Sequence, residues 1–188
     1  MPLQIVHYDD PILRKKGEKV KIFDTALARF AAEMIETMHA AGGIGLAAQQ
    51  VGRAVQLCVV DLRGVDAEFS WRLDGAQPPL ELFMPMIMIN PKIADEPLPE
   101  DTAEEGCLSF PNIRGDVARS EIIVVKFHDE HGTPHTLHCD GLFARCIQHE
   151  TDHLNGVLFI DRMDRKTLAA LEPAISELKK QTRATAKA

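Results

Sequence analysis

The chain has 188 residues, 45% of them hydrophobic and 26% charged, with a formal net charge of −7. That length and apolar content fit one globular domain, 1–188, with a sizeable core, and the negative balance argues against a general nucleic-acid-binding surface and against direct DNA binding. The start, MPLQIVHYDDPILRKKG, has no apolar run of signal-peptide length and no stretch of about 18 uninterrupted apolar residues occurs, so a cytoplasmic protein without a membrane span is expected.

Asp24 caps a predicted helix reaching about Ala41, because Leu27, Phe30, Ala31, Met34, Ile35 and Met38 recur at three- and four-residue spacings before Gly42 and Gly43. Residues 43–50, GIGLAAQQ, match the loose dinucleotide pattern GxGxxA. That pattern requires a strand before it and a helix after it, and here the order is reversed. A helix-ending glycine turn explains part of the segment, yet close-approach glycines followed by a carboxamide also suit a substrate edge with an oxyanion donor. Residues 54–61 and 85–93 read as buried strands, with 63–83 as a surface excursion rich in Gly, Pro and charge. An acidic loop follows from Asp95 to Glu105. Residues 117–127 read as one further strand, and His131 and Gly132 form the turn into a second arm over 133–138. Residues 168–180 suit a terminal helix, in which Pro173 demands a late start or a kink. The last residues, about 181–188, read as a flexible basic tail. This order argues for an α+β fold: mostly antiparallel β-sheets wrapped around a central HExxH helix, with an N-terminal and a C-terminal helix.

That central helix carries His149-Glu150-Thr151-Asp152-His153. At about 100° per residue, His149 and His153 share one side and Glu150 lies about 60° round from His153. Two imidazoles can then hold one metal ion while a carboxylate beside it takes a proton from water. The same letters also fit two His paired with surface acids. Here, however, Asp140 and Gly141 suit a helix start, Leu142, Cys146, Ile147 and Leu154 supply an apolar stripe, and Gly156 suits the stop. The two His therefore sit beside the buried stripe, where an unliganded pair would be costly.

A catalytic site of this kind needs a third protein ligand. Four cysteines in such a chain read as core thiols or ligands rather than a disulfide scaffold. Cys146 shares the helix, but about 10.5 Å of rise separates it from His153. The metzincin pattern HExxHxxGxxH keeps Gly156 but ends on Phe159, which cannot bind a metal. Cys58 lies in an apolar strand-like run. Cys107, beside a glycine in Glu105-Gly106-Cys107-Leu108-Ser109, stands only a little ahead of Cys139, which stays open as a candidate.

Three segments together resemble the signature of the peptide deformylase family: GIGLAAQQ (43–50), EGCLS (105–109) and QHETDH (148–153), with further likeness from HYDDPILRKKG to FIDRM at 159–163. The resemblance implies that Cys107, His149 and His153 hold one Fe2+ per chain, with Zn2+, Ni2+ or Co2+ as substitutes. A thiolate and two imidazoles are compatible with several such ions. Glu150 would be general base and then acid, Gln50 rather than Gln49 the catalytic glutamine, and Leu108 a donor through its backbone N–H. Ile44, Leu142 and Cys146 would form a slot for a methionine side chain, Gly45 would present its backbone to the peptide, Glu105 would join the substrate-binding residues, and Arg114 would support the second motif. The implied reaction is hydrolysis of the formyl group from the N-formylmethionine of new polypeptides, releasing formate. The implied partners are formylated nascent peptides, with the ribosome near the peptide exit as a further one. The 63–83 excursion and the acidic loop are longer than in many relatives, and neither removes a catalytic residue.

Two other readings compete. An HExxH zinc peptidase would cleave internal peptide bonds. A non-catalytic, metal-stabilised ribosome-binding protein would have no need of Glu150 or Gln50.

Overall fold

The structure is a computed structural model that describes residues 2–94 and 99–185. Part of the acidic loop, 95–98, and the end of the basic tail, 186–188, therefore lie outside the described residues. The chain runs α1 (Thr25–Ala40), β1 (Gly45–Ala47), β2 (Leu57–Val60), β3 (Trp71–Leu73), β4 (Met86–Ile93), β5 (Glu100–Cys107), β6 (Phe110–Ser120), β7 (Ile122–His128), β8 (Pro134–Asp140), α2 (Gly141–Leu154) and α3 (Arg165–Thr185). A six-stranded sheet has the order β1-β2-β4-β7-β8-β3, and β5 pairs with β6 in a separate hairpin. Every one of these strand pairs is antiparallel. The helix α2 packs on β1, β2, β4, β7 and β8 of the large sheet and on β6 of the hairpin, so the two sheets enclose it.

The expected α1 forms where its apolar spacing put it. The Asp24 carboxylate accepts the Leu27 N–H at 2.9 Å, and Phe30, Ala31, Met34 and Met38 are buried against β1 and β2. In α2, Phe143, Ala144, Ile147 and Leu154 are fully buried, and each of the larger three contributes about 1.5–3 kcal/mol by leaving water. Asp140 opens α2 but makes no side-chain cap on it, because its carboxylate accepts from the backbone N–H and hydroxyl of Ser70.

Four expectations change. The strand expected over 117–127 is two strands in different sheets, divided at Glu121. Odd-numbered positions are buried on both sides, at Ile113, Val117 and Arg119 and again at Ile123, Val125 and Phe127, and the exposed Glu121 alone breaks that period, at the sheet change. Most of the acidic loop is strand β5, whose exposed face is polar and whose pairing comes wholly from β6. The surface excursion contributes β3, an edge strand beside β8. Finally, α3 starts earlier than expected and runs through Pro173 to Thr185. Asp164 accepts the Lys166 and Thr167 N–H groups at its start, and Ile175 and Leu178 anchor it beyond the proline. The boundary at 181 thus falls inside a helix whose Lys179 and Arg183 both pair with Asp9.

Gly156 stops α2 with φ +73, and a Cβ there would overlap the carbonyl oxygen of Arg14 and lie 2.8 Å from its carbon. A side chain at such φ costs about 1–2 kcal/mol before any clash. Gly156→Ala is therefore expected to lower the thermal midpoint by at least about 2–8 °C at this chain length, as read by scanning calorimetry; an unchanged midpoint would contradict this account of the turn.

Candidate metal centre

His149 and His153 stand one turn apart on α2, with ring centroids 5.0 Å apart and planes at 70°. Cys107 reaches them from the end of β5, with its Sγ 3.3 Å from His153 Nε2. The ligand atoms of the three residues all lie within 4.8 Å of one another. Cys139, the other thiol left open by sequence, is buried in the core between the sheet and α2, and desolvation pushes its thiol pKa well up. Phe159, at the metzincin ligand position, is packed in an apolar cluster with its ring 5.9 Å from that of His149.

His149 is fixed from behind. Its Nδ1 lies 2.9 Å from Glu105 Oε2, which leaves Nε2 for a ligand. Arg119, only 3% exposed, donates from Nε and Nη2 to Glu105 and from Nη1 to Asp152 at 2.6 Å; Asp152 also accepts from Arg162. Arg145 Nη1 donates to Glu105 Oε1 at 2.9 Å and to the Val117 carbonyl at 2.8 Å. Burial pushes the Glu105 carboxyl up, but the bonds from His149 and Arg119 outweigh it and hold the pKa at about 2. Burial likewise pulls the His149 imidazole down, yet its contacts with Cys107 and Glu105 raise it to about 10. His153 Nδ1 has no hydrogen-bond partner among the described residues, and burial takes this imidazole well below the usual histidine value.

Gln50 sits in a 3-10 turn, Ala48–Val51, directly after β1. Its Oε1 accepts the Ala47 N–H at 2.8 Å, and its Nε2 points at Cys107 Sγ and Ser109 Oγ, both at 3.4 Å. The carboxamide is therefore oriented, with its NH2 end beside the ligand sulfur. Glu150 is 4% exposed, and its Oε2 has no hydrogen-bond partner among the described residues. Burial raises its carboxyl, and despite the opposing pull of His149 and Arg119 the pKa reaches about 7, which suits a group that takes up and gives back a proton near neutrality. Glu150 has room because residue 45 is glycine: a Cβ there would overlap Oε1 and lie 2.9 Å from Cys146 Sγ.

The groups converge on a cleft of about 730 Å³. Ile44, Gly45, Gln50, Glu105, Cys107, Leu108, Leu142, Cys146, His149 and Glu150 line it, whereas His153 lies behind. Two expectations for individual residues are refined. Glu105 is part of the cleft wall, and its carboxylate is engaged by Arg119, Arg145 and His149, so it also orients that histidine. Arg114 pairs with Glu104 at 3.3 Å and lies over the backbone of Gly106.

Sequence reasoning missed Arg119, Arg145 and Asp152. Arg119 did carry a signal, since a charge falls on the buried face of an alternating strand after Ile113 and Val117.

The donor set fits a divalent metal ion. A thiol and two imidazoles come together in a protected place, one histidine is oriented by a carboxylate, and the buried Glu150 Oε2 and His153 Nδ1 have polar capacity unmet by protein. This set suits zinc, iron, nickel or cobalt.

Comparison with known proteins gives one family. The family model described as polypeptide deformylase matches residues 2–169. The chain is 64% identical to a peptide deformylase of Opitutus terrae over all of this chain and 98% of that one. It is 42% identical to one of Methylacidiphilum infernorum over 96% and 94% of the two chains. Among solved structures, a plant peptide deformylase superposes with a TM-score of 0.86 at 36% identity, covering 100% of this chain and 95% of that one. One from Synechococcus elongatus, in complex with actinonin, gives 0.78 at 43% identity, covering 92% and 87%.

Breaking the buried ion pairs strands a charge, at a cost of about 3–5 kcal/mol. Arg119→Leu is expected to lower the thermal midpoint by roughly 6–20 °C and to weaken metal retention, measured by calorimetry and metal analysis; a variant as stable as the parent would show that the network does not hold His149.

Proposed function

The chain belongs to the polypeptide deformylase family, and on that premise we propose that Cys107, His149 and His153 hold its metal ion while Glu150, Gln50 and the Leu108 N–H carry the reaction. The enzyme hydrolyses the formyl group from the N-formylmethionine of newly made polypeptides and releases formate. The observation that carries the residue assignment is the convergence of a thiol and two imidazoles beside a buried, unpartnered carboxylate.

A divalent ion bound there supplies Lewis acidity, which polarises a carbonyl and acidifies water. Glu150 accepts the proton of the attacking water as the new C–O bond forms at the formyl carbon. It then delivers that proton to the departing amine as the C–N bond breaks, so it leaves the cycle unchanged. Gln50, pinned through Ala47, and the Leu108 N–H donate to the oxygen on which negative charge develops. Ile44, Leu142 and Cys146 form the apolar slot for the methionine side chain. The peptide backbone lies along β1, which is an edge strand of the large sheet and has a side open to pairing.

The finer points of this reading concern the ion, the place and the extent of the domain. The ion is ferrous iron, one per chain, with zinc, nickel or cobalt able to replace it; the thiolate–imidazole set supports this group of metals. The enzyme works in the cytoplasm, near the ribosomal exit where its substrate emerges. No helix among the described residues is long and apolar enough to cross a membrane. Residues 1–188 are read as one catalytic domain, supported by a site that draws on residues from Ile44 to His153.

Glu150→Ala is expected to abolish formate release from a formyl-methionyl peptide while keeping stoichiometric metal; an active variant would remove Glu150 from its role. Gln50→Ala, which loses one oxyanion donor, should slow turnover by about 10²- to 10³-fold. Protein purified anaerobically should contain iron, lose activity in air or with a chelator, and regain it with nickel; formate release by the metal-free protein would refute the metal assignment.

A further inference from the structure

A second cleft, of about 1000 Å³, lies against the other side of α2, with Thr151 and Asp152 in its wall. Thr151 and His149 are two residues apart and so point about 200° apart around the helix axis. The cleft is basic. Lys16 and Lys19 enter it from the segment before α1, Lys92 from β4, Lys126 from β7, and Arg162 from the stretch before α3. Its single acid, Asp152, is already engaged by Arg119 and Arg162. The four lysines form no ion pair among the described residues, although the whole chain carries a net charge of −7.

Their placement is built into the sheet. Lys92 and Lys126 are directly opposite one another in the β4–β7 register, and both are exposed. Like charges in this position repel and destabilise the pair, yet neither is neutralised by an ion pair among the described residues. At the bulge just before Lys92, the Asn90 amide clamps Val20, accepting its N–H at 2.9 Å and donating to its carbonyl at 2.8 Å. This holds the Lys16 and Lys19 segment beside the strand lysines. His128 Nδ1 and Thr151 Oγ1, both in residues of the cleft wall, are buried without a hydrogen-bond partner among the described residues.

We propose that this cleft docks the phosphodiester backbone of RNA. Uncompensated cations fixed on a concave wall match a flexible polyanion, and the acidic balance of the remaining surface repels it elsewhere, which orients the encounter. An anionic bilayer fits less well, since the exposed large apolar residues Ile22, Leu82 and Ile122 all lie outside the cleft wall. Docking here leaves the catalytic cleft, across α2, open to a peptide. The inference rests on the reading that the substrate is a chain leaving the ribosome, but RNA binding and hydrolysis are measured separately.

The test is fluorescence anisotropy of metal-loaded enzyme with a labelled single-stranded RNA across a potassium chloride series. Four phosphate contacts give a slope of log association constant against log salt of about −3, and K92Q/K126Q should reduce it to about −1.5 with a clear loss of affinity at low salt. The same charge change on α3, K166Q/K180Q, should leave slope and affinity unchanged, and both variants should release formate at the parental rate. An unchanged slope in K92Q/K126Q overturns the inference, as does an equal loss in K166Q/K180Q. Parental binding to phosphatidylglycerol vesicles without binding to RNA overturns it as well. Cleft-dependent RNA binding by a protein that releases no formate supports the inference and removes the catalytic assignment instead.

Discussion

Arg119 joins the parts of this molecule that must not move relative to one another. Its guanidinium, nearly inaccessible to solvent, bridges Glu105 on β5 to Asp152 on α2. The hairpin that brings Cys107 and the helix that brings the two histidines are thus tied by charge-assisted bonds close to where these three side chains meet. Such a network adds little net stability compared with apolar packing, because burying the charges costs about as much as pairing them returns. What it provides is specificity: only one docking of hairpin on helix satisfies every group. The same carboxylate that receives Arg119 also receives His149 Nδ1, so the clamp that fixes the architecture also fixes which imidazole nitrogen is left for a ligand.

The rest of the site follows from how closely β1 approaches α2. A glycine at 45 lets the Glu150 carboxylate lie against the strand backbone, and the surrounding core removes it from water. Burial then raises its proton affinity to near neutrality, against the opposing pull of His149 and Arg119. Gln50, in the turn that follows the same strand, is oriented by the Ala47 N–H, so a single short segment sets both the strand edge and a carboxamide beside Cys107.

The two faces of α2 are used differently. One carries the histidines and Glu150 into a cleft with mixed polar and apolar walls. The other, through Thr151 and Asp152, closes a basic cleft formed by strand and N-terminal lysines. Arg162 and Asp152 lie at that second cleft and are also the outer end of the chain of ion pairs leading to Glu105 and His149. A chain of ion pairs therefore runs from one side of the helix to His149 on the other.

The sequence by itself determined the elements whose signal is local. Helix α1 was set by its apolar spacing and Asp24, α2 by its stripe between Asp140 and Gly156, and the histidine pair with Glu150 by the geometry of one helical turn. The resemblance of three separated segments supplied Cys107 and Gln50, which spacing alone left open. Tertiary structure decided what depends on a partner. Strand β5 is polar and exists because β6 pairs with it, and the change of sheet is marked only by the exposed Glu121 in a period that keeps its phase on either side. The two buried arginines on Glu105 come from other segments, and the basic cleft combines lysines from position 16 to 126 that no sequence window contains together. Local periodicity records which face of an element is buried, whereas the identity of the opposing group is fixed only when distant segments pack.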